Sequence, residues 1–184
     1  MHLISRDQAV IAIIDVQERL LAAMPEDQRP AIVKNVLIAI DAAKVLRVPV
    51  LVSEQYPKGL GPTIPEIRER VGAGFSPIEK IAFSCGRSPE FRAALDATGR
   101  HDVILCGVES HVCVYQTAVD LINDGFHVHV AADAVMSRRS ADSNRAFALM
   151  ERAGAVIGTT EMFLFQLLER AGSDEFKAIS RLVK

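Results

Sequence analysis

A cysteine, a lysine and an aspartate stand where side chains of those types could act together. The cysteine is Cys113, in "GVESHVCVYQ" (107–116), just past an apolar run and at the start of a helical pattern. With Ser110 as N-cap, Cys113 takes the third helical position, where unpaired backbone N–H groups and the positive end of the helix dipole favour a thiolate. The alternative is a small buried hydrophobe, the common role of a cysteine. Lys80 lies in "PIEKIAFS" (77–84) among apolar neighbours. An ammonium in a central strand is costly unless paired, whereas on an edge strand it would simply reach solvent. Asp15 directly follows an apolar run, "AVIAII", and could equally be a turn or cap residue. The three are more informative than any one of them. Asp15 and Lys80 would neutralise each other in a half-buried crevice, Asp15 could take the thiol proton as general base, and Lys80 could hold the developing charge.

Other combinations are weaker. His111 is two residues from Cys113, about 200° apart on a helix, so the two side chains face apart. His127 and His129 share one strand face but lack a third ligand at a useful spacing, and they read as structural. Cys106, inside "VILC", reads as core, and nothing marks Cys85 as activated. The segment "GAGFSP" (72–77) lacks the third glycine of a dinucleotide fingerprint and precedes a strand, so no cofactor is implied.

The elements that would position these residues alternate along the chain. Apolar, β-branched runs at 9–15, 49–55, 77–84, 101–107, 126–133 and 155–160 read as strands. Residues 29–48 read as a helix, because Ile32, Val36, Ala39, Ile40 and Ala43 fall on one stripe. A second helix starts at a Ser88 N-cap with Pro89 behind it and stops at Gly99. Others cover about 110–124, the segment ending at Gly154, and two closing segments. This rhythm predicts a three-layer α/β/α fold with a central, mostly parallel sheet of about six strands, in one domain spanning 1–184. Residues 53–76, rich in Gly and Pro, read as a lid or interface loop. In such a sheet ligands bind beyond the carboxyl ends of the strands, where Asp15 and Cys113 fall.

Composition excludes several classes. Hydrophobic residues make up 49% of the 184, too many for a disordered polyelectrolyte. Net charge is −2 and the densest basic cluster is Arg138-Arg139, so neither nucleic acid nor a membrane surface is an expected partner. No apolar stretch reaches the roughly 18 residues of a membrane span. No cleavable leader pattern precedes the first strand, and three cysteines without a CxxC pair argue against a disulfide framework or structural zinc. The expectation is a cytoplasmic protein.

The segments "AIIDVQ", "EKIAFS" and "GVESHVCVYQTAVDLINDGFHVHVAADA" resemble the isochorismatase-like cysteine hydrolases, from about residue 7 to the C-terminus. Through "EQYPKGLGPTIPEI" and "EFKAISRLVK" the chain is most similar to isochorismatase-domain-containing proteins of unassigned substrate. The resemblance implies a catalytic triad of Asp15, Lys80 and Cys113. It also implies a cis peptide at Val108–Glu109 that turns backbone N–H groups, including that of Cys113, toward an oxyanion. Cysteine attack on a small amide or related C–N bond would then give a thioester that water hydrolyses. Isochorismatases proper cleave a vinyl ether and resemble the family without the cysteine, so Cys113 points away from isochorismate. Metal-dependent relatives carry an Asp-x-His pair after the second strand. Here Ser53-Glu54-Gln55 stands there, with no His between 3 and 100, so no metal is expected. Gln17 and Phe83 are candidate pocket residues, and Gln55 and Tyr56 candidate substrate contacts or loop anchors. A homo-oligomer acting on a small-molecule substrate is expected. A scaffold without efficient turnover and a non-covalent ether or ester hydrolase are the alternatives.

Overall fold

The computed structural model describes residues 3–184. Its first strand, β1 (Ala9–Ile14), is buried along its whole length. Ala9, Ile11 and Ile13 point into one apolar core and Val10, Ala12 and Ile14 into the other. A strand covered on both faces has no polar side to expose, which is why its sequence does not alternate. A short helix, α1 (Glu18–Ala22), absent from the sequence reading, leads into α2 (Arg29–Leu46). The apolar stripe of α2 is buried as its spacing predicts, and Arg47 closes the helix in the left-handed region, φ 56°.

The second strand, β2 (Val50–Gln55), runs into the stretch expected to be a loop. That stretch instead holds two short helices, α3 (Pro57–Leu60) and α4 (Pro65–Val71), followed by a tight turn at 72–74. Each has proline at its start, where the ring's fixed φ suits a helix and the missing N–H costs nothing. The third strand, β3 (Ile78–Lys80), is shorter than the 77–84 expected, for a reason found in the site below. Helix α5 (Pro89–Ala97) starts as predicted, with the Ser88 hydroxyl accepting from the Phe91 N–H at 3.3 Å. Then come β4 (Asp102–Val108), α6 (Tyr115–Asn123), β5 (His127–Met136), α7 (Ser140–Ala153), β6 (Val156–Gly158), α8 (Thr160–Leu168) and α9 (Asp174–Leu182).

The six strands form one sheet in the order β3-β2-β1-β4-β5-β6, with every neighbouring pair parallel. Helices α2, α8 and α9 close one face, and α5, α6 and α7 the other. The chain builds outward from β1 to β3, then returns to lay β4 on the other side of β1. The two halves diverge at the carboxyl ends of β1 and β4, where connections leave to opposite sides and a crevice opens. Among the described residues no helix is long and apolar enough to cross a membrane.

Strands β1 and β4 approach closely at Gly107, paired with Ile14. Gly107 has φ 119°, and a Cβ there would lie 2.0 Å from the Ile14 carbonyl oxygen. Only glycine satisfies both conditions. Gly107→Ala is therefore expected to lower the unfolding free energy by at least about 3 kcal/mol. Urea titration followed by circular dichroism measures it, and a loss under about 1 kcal/mol would contradict this account.

Candidate active site

Beyond Ile14 the backbone turns through a left-handed residue, Asp15, φ 51°, a conformation that short polar side chains tolerate. The turn sends the Asp15 carboxylate into the crevice, where it is fully buried. Its Oδ1 accepts from the Ser53 hydroxyl at 2.7 Å, and its Oδ2 accepts from the Lys80 ammonium at 2.7 Å. Lys80 stands on the edge strand of the sheet and still does not reach solvent. Its side chain turns inward, and its Nζ donates also to Gln55 Oε1 at 2.7 Å and to the Phe83 carbonyl at 2.9 Å, with the Ala82 carbonyl at 3.3 Å. This explains the shortness of β3. Residues 81–83 leave the sheet so that the Ala82 and Phe83 carbonyls can reach the ammonium. Burial works against the charge on Lys80, but the Asp15 carboxylate beside it, with Cys85 and Cys113, outweighs burial and holds the ammonium above the ordinary lysine range.

Cys113 arrives from the other half of the sheet. The peptide between Val108 and Glu109 is cis. The next residues form a wide π turn, Ser110–Val114, before α6 begins, an irregularity common at functional sites. Ser110 is not the N-cap expected. It lies inside the turn, fully buried, and Glu109 takes the capping position. The Glu109 carbonyl accepts from the N–H groups of both Val112 and Val114, at 3.1 and 3.2 Å, and its carboxylate accepts from Arg138 Nε at 2.7 Å. Cys113 is 5% exposed, and its thiol lies close enough to Asp15 and Lys80 to feel both charges. Burial, then the Asp15 charge, push its thiol well above the ordinary cysteine range, against the opposing pull of Lys80. Burial and the neighbouring Asp15 anion thus favour the thiol at rest, against the thiolate that the end of one helix would favour.

The structure brings Asp15, Lys80 and Cys113 to one crevice at the ends of β1, β3 and β4. Gln17 is fully buried, and its amide is spent on backbone: its Nε2 donates to Gln55 and Gly61 carbonyls at 3.1 and 2.6 Å, and its Oε1 accepts from the Gln55 N–H at 2.7 Å. Gln55 also donates to the Ile81 carbonyl at 2.8 Å, so it orders the cage around Lys80. Tyr56 and Phe83 are 51% and 53% exposed at the rim, with Ile81 at 75%. A cleft of about 470 Å³ beside Lys80 is lined by Tyr56, Pro57 and Ile81 and by the charged Glu79, Arg87 and Glu90; neither Asp15 nor Cys113 lines it. Ile81 was missed because it reads as strand interior. Ser53 was missed as a contact of Asp15, although a lone hydroxyl ending a buried apolar run marks it. His111 is engaged by another residue, its Nδ1 2.9 Å from Ser137 Oγ. His127 pairs with Asp102 at 3.0 Å at the opposite end of the sheet.

The positions that bear Asp-x-His in metal-dependent relatives do not suit a metal. Ser53 and Gln55 are committed to Asp15 and Lys80, and Glu54 Oε1 accepts from the Thr63 N–H and hydroxyl, both at 2.7 Å. Among the described residues no three His, Cys, Asp or Glu converge as ligands.

Comparison with known proteins gives a consistent assignment. Residues 8–162 match the isochorismatase domain model. Mouse isochorismatase domain-containing protein 2A is 35% identical over 179 residues, covering 97% of this chain and 84% of its own. The solved structure of the MAR1 ribonuclease from Caenorhabditis elegans is 36% identical, with a TM-score of 0.91, covering 99% of this chain and 92% of that one. The Escherichia coli YcaC gene product, described as an octameric hydrolase of unknown specificity, is 26% identical with a TM-score of 0.85, covering 92% of this chain and 84% of that one.

Burial has a consequence for pH dependence. Like Cys113, Cys85 and Cys106 are pushed up by burial, each to about 12 from an ordinary 9.0. All three folded values exceed the unfolded ones, so above pH 9.0 the unfolded chain binds fewer protons than the folded one. Stability is then intact at neutral pH and falls as pH rises past the unfolded value, by about 1.4 kcal/mol per unit for each thiol. Urea midpoints measured through the alkaline range are expected to show this fall, and Cys106→Ala to reduce its slope by about a third. Separately, Lys80→Ala strands the Asp15 charge in the interior and is expected to cost about 3–5 kcal/mol, measured by the same titration at neutral pH.

Proposed function

We propose that this chain, which belongs to the isochorismatase family of hydrolases, is a cysteine-dependent hydrolase of a small amide or related C–N bond. The observation that carries the reading is the convergence of a buried carboxylate, a buried ammonium and a buried thiol at the divergence point of the sheet. Asp15 accepts the Cys113 proton as the sulfur attacks the carbonyl carbon, so the C–S bond forms without a free thiolate in the resting site. The displaced electron pair moves to the carbonyl oxygen. Backbone N–H groups at the start of the π turn, including that of Cys113, receive that oxyanion. On collapse the C–N bond breaks, and ammonia or an amine leaves with the proton held by Asp15. Water then attacks the thioester, Asp15 takes its proton, and the acid departs as the thiol is restored. Lys80 keeps the site's charge balanced throughout. The rim formed by Tyr56, Ile81 and Phe83 would meet the apolar part of the substrate.

The ribonuclease name of the worm relative raises RNA as a substrate. Phosphodiester binding draws on an unpaired basic track. In this chain Arg87, Arg92 and Arg138 are each engaged by a carboxylate, and net charge is −2. That favours a small neutral or weakly polar substrate. Assembly into a homo-oligomer is part of the proposal, motivated by the octameric relative and the exposed apolar rim.

Mass spectrometry of the protein mixed with pools of small amides and carbamoyl compounds tests the reading. An acyl adduct on Cys113 is expected, and a broad pool that leaves no mass increase on that residue would sink the covalent route. With a substrate in hand, Cys113→Ala and Asp15→Asn are each expected to lower kcat at least about 10³-fold. Activity that survives Cys113→Ala would instead support non-covalent ether or ester hydrolysis.

A further inference from the structure

Three buried groups behind the site form a chain that ends on Asp15. The Cys85 N–H donates to Thr117 Oγ1 at 2.8 Å, which fixes the turn at 85–87 against α6, the helix that follows Cys113. The Cys85 sulfur lies 3.4 Å from Ser53 Oγ, and Ser53 Oγ lies 2.7 Å from Asp15 Oδ1. Ser53, Cys85 and Thr117 are all fully buried.

The direction of donation follows from the chemistry of the groups. A hydroxyl has one proton to give. An ionised Asp15 offers only acceptor lone pairs at Oδ1, so the Ser53 proton must point there. Cys85 then donates its own proton to Ser53. Its thiol is suited to that role, since burial pushes it to about 12 and it stays protonated at neutral pH. Lys80 holds the other carboxylate oxygen, so rotation of the carboxylate would break both contacts.

We propose that Ser53 is a positioning residue for Asp15, kept in its donating orientation by the Cys85 thiol, so that the carboxylate presents a fixed acceptor to Cys113. The proposal deepens the hydrolase reading by adding a positioning role behind its base. Its test needs no substrate, so a failure of the amide chemistry and a failure of this role are separately visible. The charged and titratable groups facing Cys113 are Asp15, Lys80 and Cys85. Ser53 acts on the first of them. Without its donor the carboxylate keeps only its Lys80 contact and is no longer held in one orientation toward the thiol, so transfer of the Cys113 proton to Asp15 during attack on an electrophile is slowed.

The experiment is peptide-resolved alkylation of the whole protein with iodoacetamide across the neutral pH range, with Cys113 labelling followed by mass spectrometry. Ser53→Ala, by freeing the carboxylate's orientation, is expected to slow Cys113 labelling about tenfold at each pH, while Ser53→Thr, which retains the hydroxyl, restores the wild-type rate. Cys85→Ala, by loosening the Ser53 hydroxyl, is expected to slow it about threefold, with no additional slowing in the Ser53→Ala background. A purely structural role for Ser53 would lower the melting temperature and leave the labelling rate where it was. An unchanged or faster rate in Ser53→Ala overturns the proposal. If that variant does not fold, an unchanged rate in Cys85→Ala overturns it equally.

Discussion

The Lys80 ammonium is withdrawn from water at the end of an edge strand, and nearly everything distinctive about this end of the molecule compensates for that. One carboxylate oxygen, one side-chain amide oxygen and two main-chain carbonyls replace its hydration. A buried ion pair stabilises a fold only when its remaining hydrogen-bonding capacity is met. Here Gln55 is held by Gln17 and Ile81, and Asp15 is held by Ser53. Each ligand of the ammonium is thus itself anchored. The same pair sets the electrostatics of the site, since Cys113 sits between an anion that discourages its ionisation and a cation that favours it.

Topology puts that pair where it can be used. In a parallel sheet whose halves grow outward from the centre, the ends of β1 and β4 are the one place where connecting segments part. Asp15 leaves β1 there and the cis peptide leaves β4 there. Gly107 lets the two strands approach closely, and the carboxylate and the sulfur that leave their ends, distant in sequence, lie near enough for the charge of one to act on the other. Geometry at the fold's centre and chemistry at its rim are consequences of one crossing.

Several elements were readable residue by residue. The stripe of α2, the Ser88–Pro89 start of α5 and the Gly154 stop of α7 depend on neighbours within a few residues, and all three stand as read. The elements misread share the opposite property. β3 ends at Lys80 because carbonyls 82 and 83 are drawn to an ammonium whose partner, Asp15, lies 65 positions away. The segment from 57 to 71 is helical and anchored because Gln17, Glu54 and Arg19 reach across to Gly61, Thr63 and Gly59. The lone hydroxyl of Ser53 ends an apolar run, but its partner, Asp15, is set by the β1–β2 register.

The amino-acid order alone determined the layers and the parallel sheet and marked the three side chains proposed to act, because periodicity and residue type act over short range. Tertiary structure decided what those side chains are. Whether an amine on a strand is solvated or caged, and whether a cysteine rests as thiol or thiolate, depends on how much water packing removes and which charges it leaves nearby. Both are sums over atoms from distant parts of the chain, and no local pattern carries them.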